Sequence, residues 1–214
     1  MTRAVPATVL ADHAWLREDL DRATRLYGRA SPRVLGTIRW YSASSVLVAP
    51  PLESLVHTGV ALDPALGAIT FDMYPDGRYV DARSRRALDG DVAALGAALG
   101  TALEAAVEAI ATVTGAPSRA LWAVAGDSVA NRLLWAGSAV GDPGRAMRLA
   151  AEIAEAIGPR LPRPRFVHVG RKPVVRRASC CLIYEATGGE KCASCPRQTP
   201  AEREHRLHQL LGPS

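Results

Sequence analysis

Cysteine is absent from this 214-residue chain except between positions 180 and 195, where all four lie. Aromatic residues make up only 5% of it, and no run of about 18 uncharged apolar residues flanked for membrane insertion stands out. The N-terminal stretch MTRAVPATVLADHAWLRED reaches Asp12 before a secretory apolar core could form, and no small-residue cleavage site follows. These absences lead us to expect a soluble, cytoplasmic protein without a transmembrane segment. Disulfides are rare there, so clustered cysteines point to metal or redox chemistry. No G-x-G-x-x-G follows a strand and opens a helix, which removes the common nicotinamide and flavin fingerprint. AALGAALG at 93–100 reads as the small-residue face of a helix. No nucleophilic or acid–base constellation is visible, and neither is helix-turn-helix or zinc-finger spacing.

The hydrophobic pattern indicates an α+β protein that is predominantly helical. Leu16, Leu20, Ala23 and Tyr27 recur at helical spacing between Pro6 and Gly28. A second helix starts at Ser31-Pro32 and is expected to end at Pro50-Pro51, and a shorter one stops at Gly59. Residues 68–82 alternate around Pro-Asp-Gly as a β-hairpin. Three further helices follow: Asp89 to Gly115 with a stripe from Leu95 to Ile110, then two that open near a proline and close on a glycine. PRLPRPR at 159–165 is a stiff connector. The expected organisation is therefore a helical body over 1–158, this connector, and a cysteine-bearing segment over 166–214. Thr199, Pro200 and Glu202 form a capping-box start for a last helix.

Charge is uneven along the chain. Residues 158–214 hold 11 Lys/Arg against 4 Asp/Glu, whereas the first 157 residues are slightly acidic, with 15 against 17. A basic stretch suits nucleic acid, an acidic partner or an anionic ligand. Nucleic acid is not the expectation, because only Phe166 and Tyr184 interleave the basic residues. A regulatory iron–sulfur or zinc protein with a nucleic-acid-binding C-terminal region is the alternative reading.

RRASCCLIYEATGGEKCASCP, from Arg176, holds the chemistry. Cys192 and Cys195 form a C-x-x-C whose tight turn lets two thiolates converge. Cys180 and Cys181 are adjacent, and on an extended strand they would point to opposite sides. Aiming both at one centre needs a special turn, and a binuclear iron–sulfur cluster is a larger target than a single zinc ion. Structural zinc fits the spacing equally well.

This motif resembles the C-terminal signature of the FhuF-type ferric siderophore reductases, with basic residues, an adjacent cysteine pair, an aromatic, a ten-residue spacer and C-x-x-C-P. WYSASSVLVAPPLESLVHTG and RALWAVAGDSVANRLLW are similar to upstream segments of that family. The resemblance implies a [2Fe–2S] cluster on Cys180, Cys181, Cys192 and Cys195 that reduces siderophore-bound iron. Electrons would come from an external donor: a ferredoxin, a flavoprotein or a small reductant. Arg176, Arg177, Lys191 and Arg197 would tune the cluster or dock a partner. Arg39 with Trp40, and Arg119 with Trp122, are candidates for a ligand cleft, although the four tryptophans read first as core. His168 is expected to be a partly buried strand residue, and His205 and His208 to face solvent.

Overall fold

Side-chain caps set most helix starts in the computed structural model, which describes residues 1–212. Asp12 accepts from the backbone N–H groups of Ala14 and Trp15 and opens α1 (His13–Tyr27). Ser31 and Pro32 open α2 (Pro32–Leu47), and α3 (Ala49–Thr58) follows directly. Pro50 and Pro51 do not end α2 as expected. The break falls at Val48, and both prolines sit in the first turn of α3, where a missing N–H costs nothing.

The N-terminus also departs from expectation. Residues before Asp12 form β1 (Arg3–Pro6) and a short 3-10 turn (Ala7–Ala11). Strand β1 pairs antiparallel with β2 (Ile69–Met73), which pairs with β3 (Tyr79–Ser84), so the expected hairpin is two strands of a three-stranded sheet. Asp76 accepts from the Arg78 N–H and Gly77 takes φ +95 at the hairpin turn.

The core is built around α4 (Val92–Thr114), whose stripe of Leu95, Leu99, Leu103, Val107 and Ile110 is at most 3% exposed. Among the described residues it is the one helix long and apolar enough, by length and composition, to cross a membrane. Here it packs against α1, α2, α5 (Ser118–Ala139) and α6 (Pro143–Ile157). Its small residues permit that approach: a β-carbon on Gly96 would lie 2.3 Å from that of Ala156 on α6.

Helix α5 is buried along most of its length and touches α2, α3, α4 and α6. The connector leaves α6 through a turn, the Leu161 N–H donating to the Gly158 carbonyl at 3.2 Å, and is extended only after Leu161, whose side chain is inserted into the core. An antiparallel hairpin follows, β4 (Phe166–Val169) and β5 (Lys172–Val175), and Val175 packs on Ala130 and Leu134 of α5. His168 is in a strand as expected, but exposed rather than partly buried. The chain continues through α7 (Ile183–Thr187) to α8 (Pro200–Leu211). Helix α8 starts at the capping box of Thr199 and Glu202.

Candidate metal centre

The four thiols come together without forming a disulfide. Cys180 and Cys195 lie with sulfurs 3.6 Å apart. The Cys181 thiol interacts with those of Cys180 and Cys192, so the four side chains form one group. Cys181 and Cys195 are buried, Cys180 is half-buried and Cys192 is exposed.

The special turn required by the adjacent pair is found at Leu182, the one non-glycine residue among those described with positive φ, at 62°. It redirects the chain into α7, which turns the Leu182 N–H toward the Cys180 sulfur and the Ile183 N–H toward that of Cys181. The Leu182 side chain anchors this conformation against Val34 and Ile38 of α2. The second pair is closed by the Cys195 N–H donating to the Cys192 carbonyl at 2.9 Å. Gln198, buried, locks that turn by donating to the same carbonyl at 2.8 Å.

The neighbouring thiols of Cys180 and Cys192 pull the Cys181 thiol toward its thiolate form, and the same contacts, helped by burial, push both neighbours up. Soft thiolate donors suit zinc and iron–sulfur clusters. No group of three or more His, Cys, Asp or Glu side chains among the described residues is arranged to hold a single metal ion. The sulfurs instead come from two segments that face one another.

An orphaned donor tests the fit further. Arg177 is buried, with Nη1 3.6 Å from the Cys192 sulfur and Nη2 enclosed without a hydrogen-bond partner. A buried N–H left unpaired costs about 1–3 kcal/mol, more on a charged group. The inorganic sulfides and thiolates of an anionic iron–sulfur cluster are acceptors of the kind this position lacks. The residues present therefore fit a [2Fe–2S] group.

The helical body holds this segment through one carboxylate. Asp127 on α5 is 4% exposed and accepts from Ala178 N–H at 2.8 Å, Ser179 N–H at 3.1 Å and Ser179 Oγ at 2.7 Å. It also pairs with Arg177 Nε at 3.4 Å. Burial pushes its carboxyl up, while these four partners pull it back toward the charged form. The Arg177 guanidinium stacks on the Tyr41 ring at 4.9 Å. Burial works against its charge, but Tyr41, Asp127 and the Cys181 and Cys192 sulfurs outweigh this and raise its pKa.

The other basic residues divide by environment. Arg176 is exposed, whereas Arg177 is enclosed. Arg197 is exposed, donates to Tyr184 Oη at 2.8 Å and pairs with Glu185. Lys191 lies near the Tyr184 ring and donates to the Arg197 carbonyl.

The four residues proposed for a ligand cleft are not brought together. Arg39 is buried in a bidentate pair with Asp19 at 2.7 and 3.0 Å and donates to the Gly77 carbonyl at 2.6 Å, fastening α1, α2 and the hairpin. Trp40 is fully buried, its indole N–H donating to the Leu121 carbonyl. Arg119 is exposed, and Trp122 is 5% exposed beneath Arg160. Trp135, expected in the core, is 54% exposed. His205 and His208 face solvent as expected.

Asp127, Tyr41 and Gln198 were not singled out from the sequence. The one available signal was a carboxylate in the apolar run AVAGDSVA, since a charge in a buried helix needs partners. No curated protein matches the chain. Residues 177–197, which hold all four cysteines together with Arg177, match the family model described as the FhuF 2Fe-2S C-terminal domain, and the cofactor of this segment is accordingly a [2Fe–2S] cluster.

Proposed function

We propose that the protein is a cytoplasmic ferric siderophore reductase that transfers one electron to siderophore-bound iron(III). The observation that carries this reading is the convergence of Cys180, Cys181, Cys192 and Cys195 beside the buried Arg177, in a segment matching an iron–sulfur domain of siderophore-related reductases. When bound, a [2Fe–2S] group supplies one electron at a time. The substrate is the ferric complex: siderophore oxygens are hard donors that hold iron(III) tightly and iron(II) far less well. One electron from an external donor (a ferredoxin, a flavoprotein or a small reductant) converts iron(III) to iron(II). The metal is then released without any bond of the siderophore breaking.

The protein's residues hold and shape the site for that exchange. The four cysteines would ligate the cluster. The N–H groups of Leu182 and Ile183 turn their dipoles toward sulfur, and Arg177 places positive charge against Cys192. Each favours the more negative, reduced form and raises the potential. Asp127 keeps Arg177 in place and fixes the segment to α5. Exposed Cys192 gives the site an edge toward solvent and substrate. In this reading residues 1–158 form the supporting body and residues 166–214 the redox segment.

The test starts with protein purified without oxygen. A reddish-brown protein with a one-electron paramagnetic signal after dithionite, lost in Cys192→Ser, is expected. Reduction of a ferric siderophore is then followed with a coloured iron(II) chelator as trap. A colourless zinc protein that cannot be reconstituted with iron and sulfide would overturn the reading.

A further inference from the structure

Beside the redox segment, α5, the β4–β5 hairpin and α8 enclose a groove of about 570 Å³, within the size range of small-molecule sites. Resting on the reductase reading above, we infer that this groove seats the iron chelate, with Trp135 and Leu210 as its apolar contacts. It replaces the cleft that Arg39, Trp40, Arg119 and Trp122 do not form.

Three observations carry the assignment. First, the groove reaches the redox segment at Arg177, which touches the Cys192 sulfur at 3.6 Å, and at Ser194 inside the C-x-x-C. Electron transfer weakens steeply with distance, so a chelate there is placed where the electron leaves. Second, two of the large apolar side chains left exposed in the molecule line this one groove: Trp135, 54% exposed, and Leu210, 71% exposed. They come from different elements, α5 and α8, and Arg132 stacks on the Trp135 ring at 5.2 Å to hold it. Exposed apolar groups gathered at a concave surface mark a ligand site more than scattered ones do.

The third observation is charge. Among the described residues no carboxylate lines the groove, and both of its cations make hydrogen bonds within the protein. Lys172 donates to the Leu211 carbonyl at 3.1 Å, and Arg177 serves Asp127 and Cys192. Arg177 is balanced by Asp127, so Lys172 alone is left to face the three negative charges of a triply anionic chelate. A chelate of low net charge with apolar arms fits, with the Asn131 and serine side chains of the wall offering hydrogen bonds to its amide oxygens.

Redox-inert gallium(III) complexes separate binding from reduction. Holoprotein is titrated by calorimetry with a gallium trihydroxamate and with a triply anionic gallium triscatecholate, and turnover is measured on the matching ferric complexes. Trp135→Ala and Leu210→Ser are surface changes that leave the cluster's visible spectrum intact. Each is expected to weaken binding of the trihydroxamate about tenfold, the scale of one lost large apolar contact, with KM rising in step. Val167→Ser, an exposed apolar residue outside the groove, should change neither. If wild-type protein reduces ferric chelates but both groove variants bind with unchanged Kd, the groove assignment is wrong and the reductase reading stands. If wild-type protein reduces and binds no chelate, both fall. Tighter binding of the triscatecholate would overturn the charge argument.

Discussion

At Leu182 a bulky L-residue occupies the left-handed region with φ 62°, which costs roughly 1–2 kcal/mol relative to ordinary backbone. Its side chain, 6% exposed against Val34 and Ile38, offsets that by burial worth about 1.5–3 kcal/mol. Removing the side chain therefore separates the two effects. Leu182→Ala should lose the burial and keep the strain, while Leu182→Gly loses the burial but relieves it. The glycine variant is expected to be more stable than the alanine variant by about 1 kcal/mol, the reverse of their usual order outside turns. Denaturant unfolding of the two holoproteins measures this, and an alanine variant equal to or above glycine would show that the turn carries no strain. Arg177 acts on the other cysteine pair. Its Arg177→Met variant should lower the midpoint potential, since about 1 kcal/mol of lost stabilisation is roughly 40 mV for a one-electron couple. Arg177→Lys should recover part of it by charge without the fork geometry. An unchanged midpoint in Arg177→Met by redox titration would assign the residue to packing alone. The cysteines and the need for a special turn were legible in the sequence because spacing and residue type are local properties. That Leu182 supplies the positive φ beside the adjacent pair was not, because its anchor lies on α2.

Among the elements, α5 joins fold to site. Its Asp127 gathers two backbone N–H groups, one hydroxyl and one guanidinium from residues 177–179, so its loss strands several buried polar groups at once. Asp127→Ala is expected to cost about 3–5 kcal/mol, in the range for breaking a buried ion pair, and to release the cluster faster under chelator challenge. Asp127→Asn keeps the shape and one acceptor and should fall between. Bleaching rates of visible absorbance check both, and wild-type retention in Asp127→Ala would show that the segment is held elsewhere. The helices themselves were readable, since caps such as Ser31 and Thr199 and the stripe on α4 are encoded within a few residues. Strand β1 was not, because its pairing partner β2 lies beyond three helices and its four residues carry no alternation of their own. The same reason hid the ligand groove: its walls come from α5, β5 and α8. Helix contacts set by small residues sit in between. At Gly96 the notional β-carbon meets Ala156 at 2.3 Å, so Gly96→Ala should destabilise the body by about 1–3 kcal/mol despite alanine's better helix propensity. Thermal unfolding decides which effect wins.

Over the whole molecule, charge is segregated in the way the sequence indicates: the excess of 11 Lys/Arg over 4 Asp/Glu lies in residues 158–214, and Arg171, Lys172, Arg176 and Arg197 are exposed around the cysteine segment. Such a field does little for a salt-screened surface pair but concentrates anions at the place where electrons must enter. Reduction of the cluster by dithionite, an anionic reductant, should therefore slow as salt rises, because the screening length falls from about 30 Å at 0.01 M to roughly 3 Å at 1 M. A neutral reduced flavin should show little dependence, which separates attraction at the surface from a salt effect on the cluster itself. Stopped-flow bleaching of the visible band gives both rates. Charge reversal at exposed Arg176, as Arg176→Glu, should flatten the dithionite dependence without altering the midpoint as the buried Arg177 does. Equal slopes for the anionic and neutral reductants would mean that the basic face is only a solvated surface, and that the path of electrons into the cluster is set by the exposed edge at Cys192 alone.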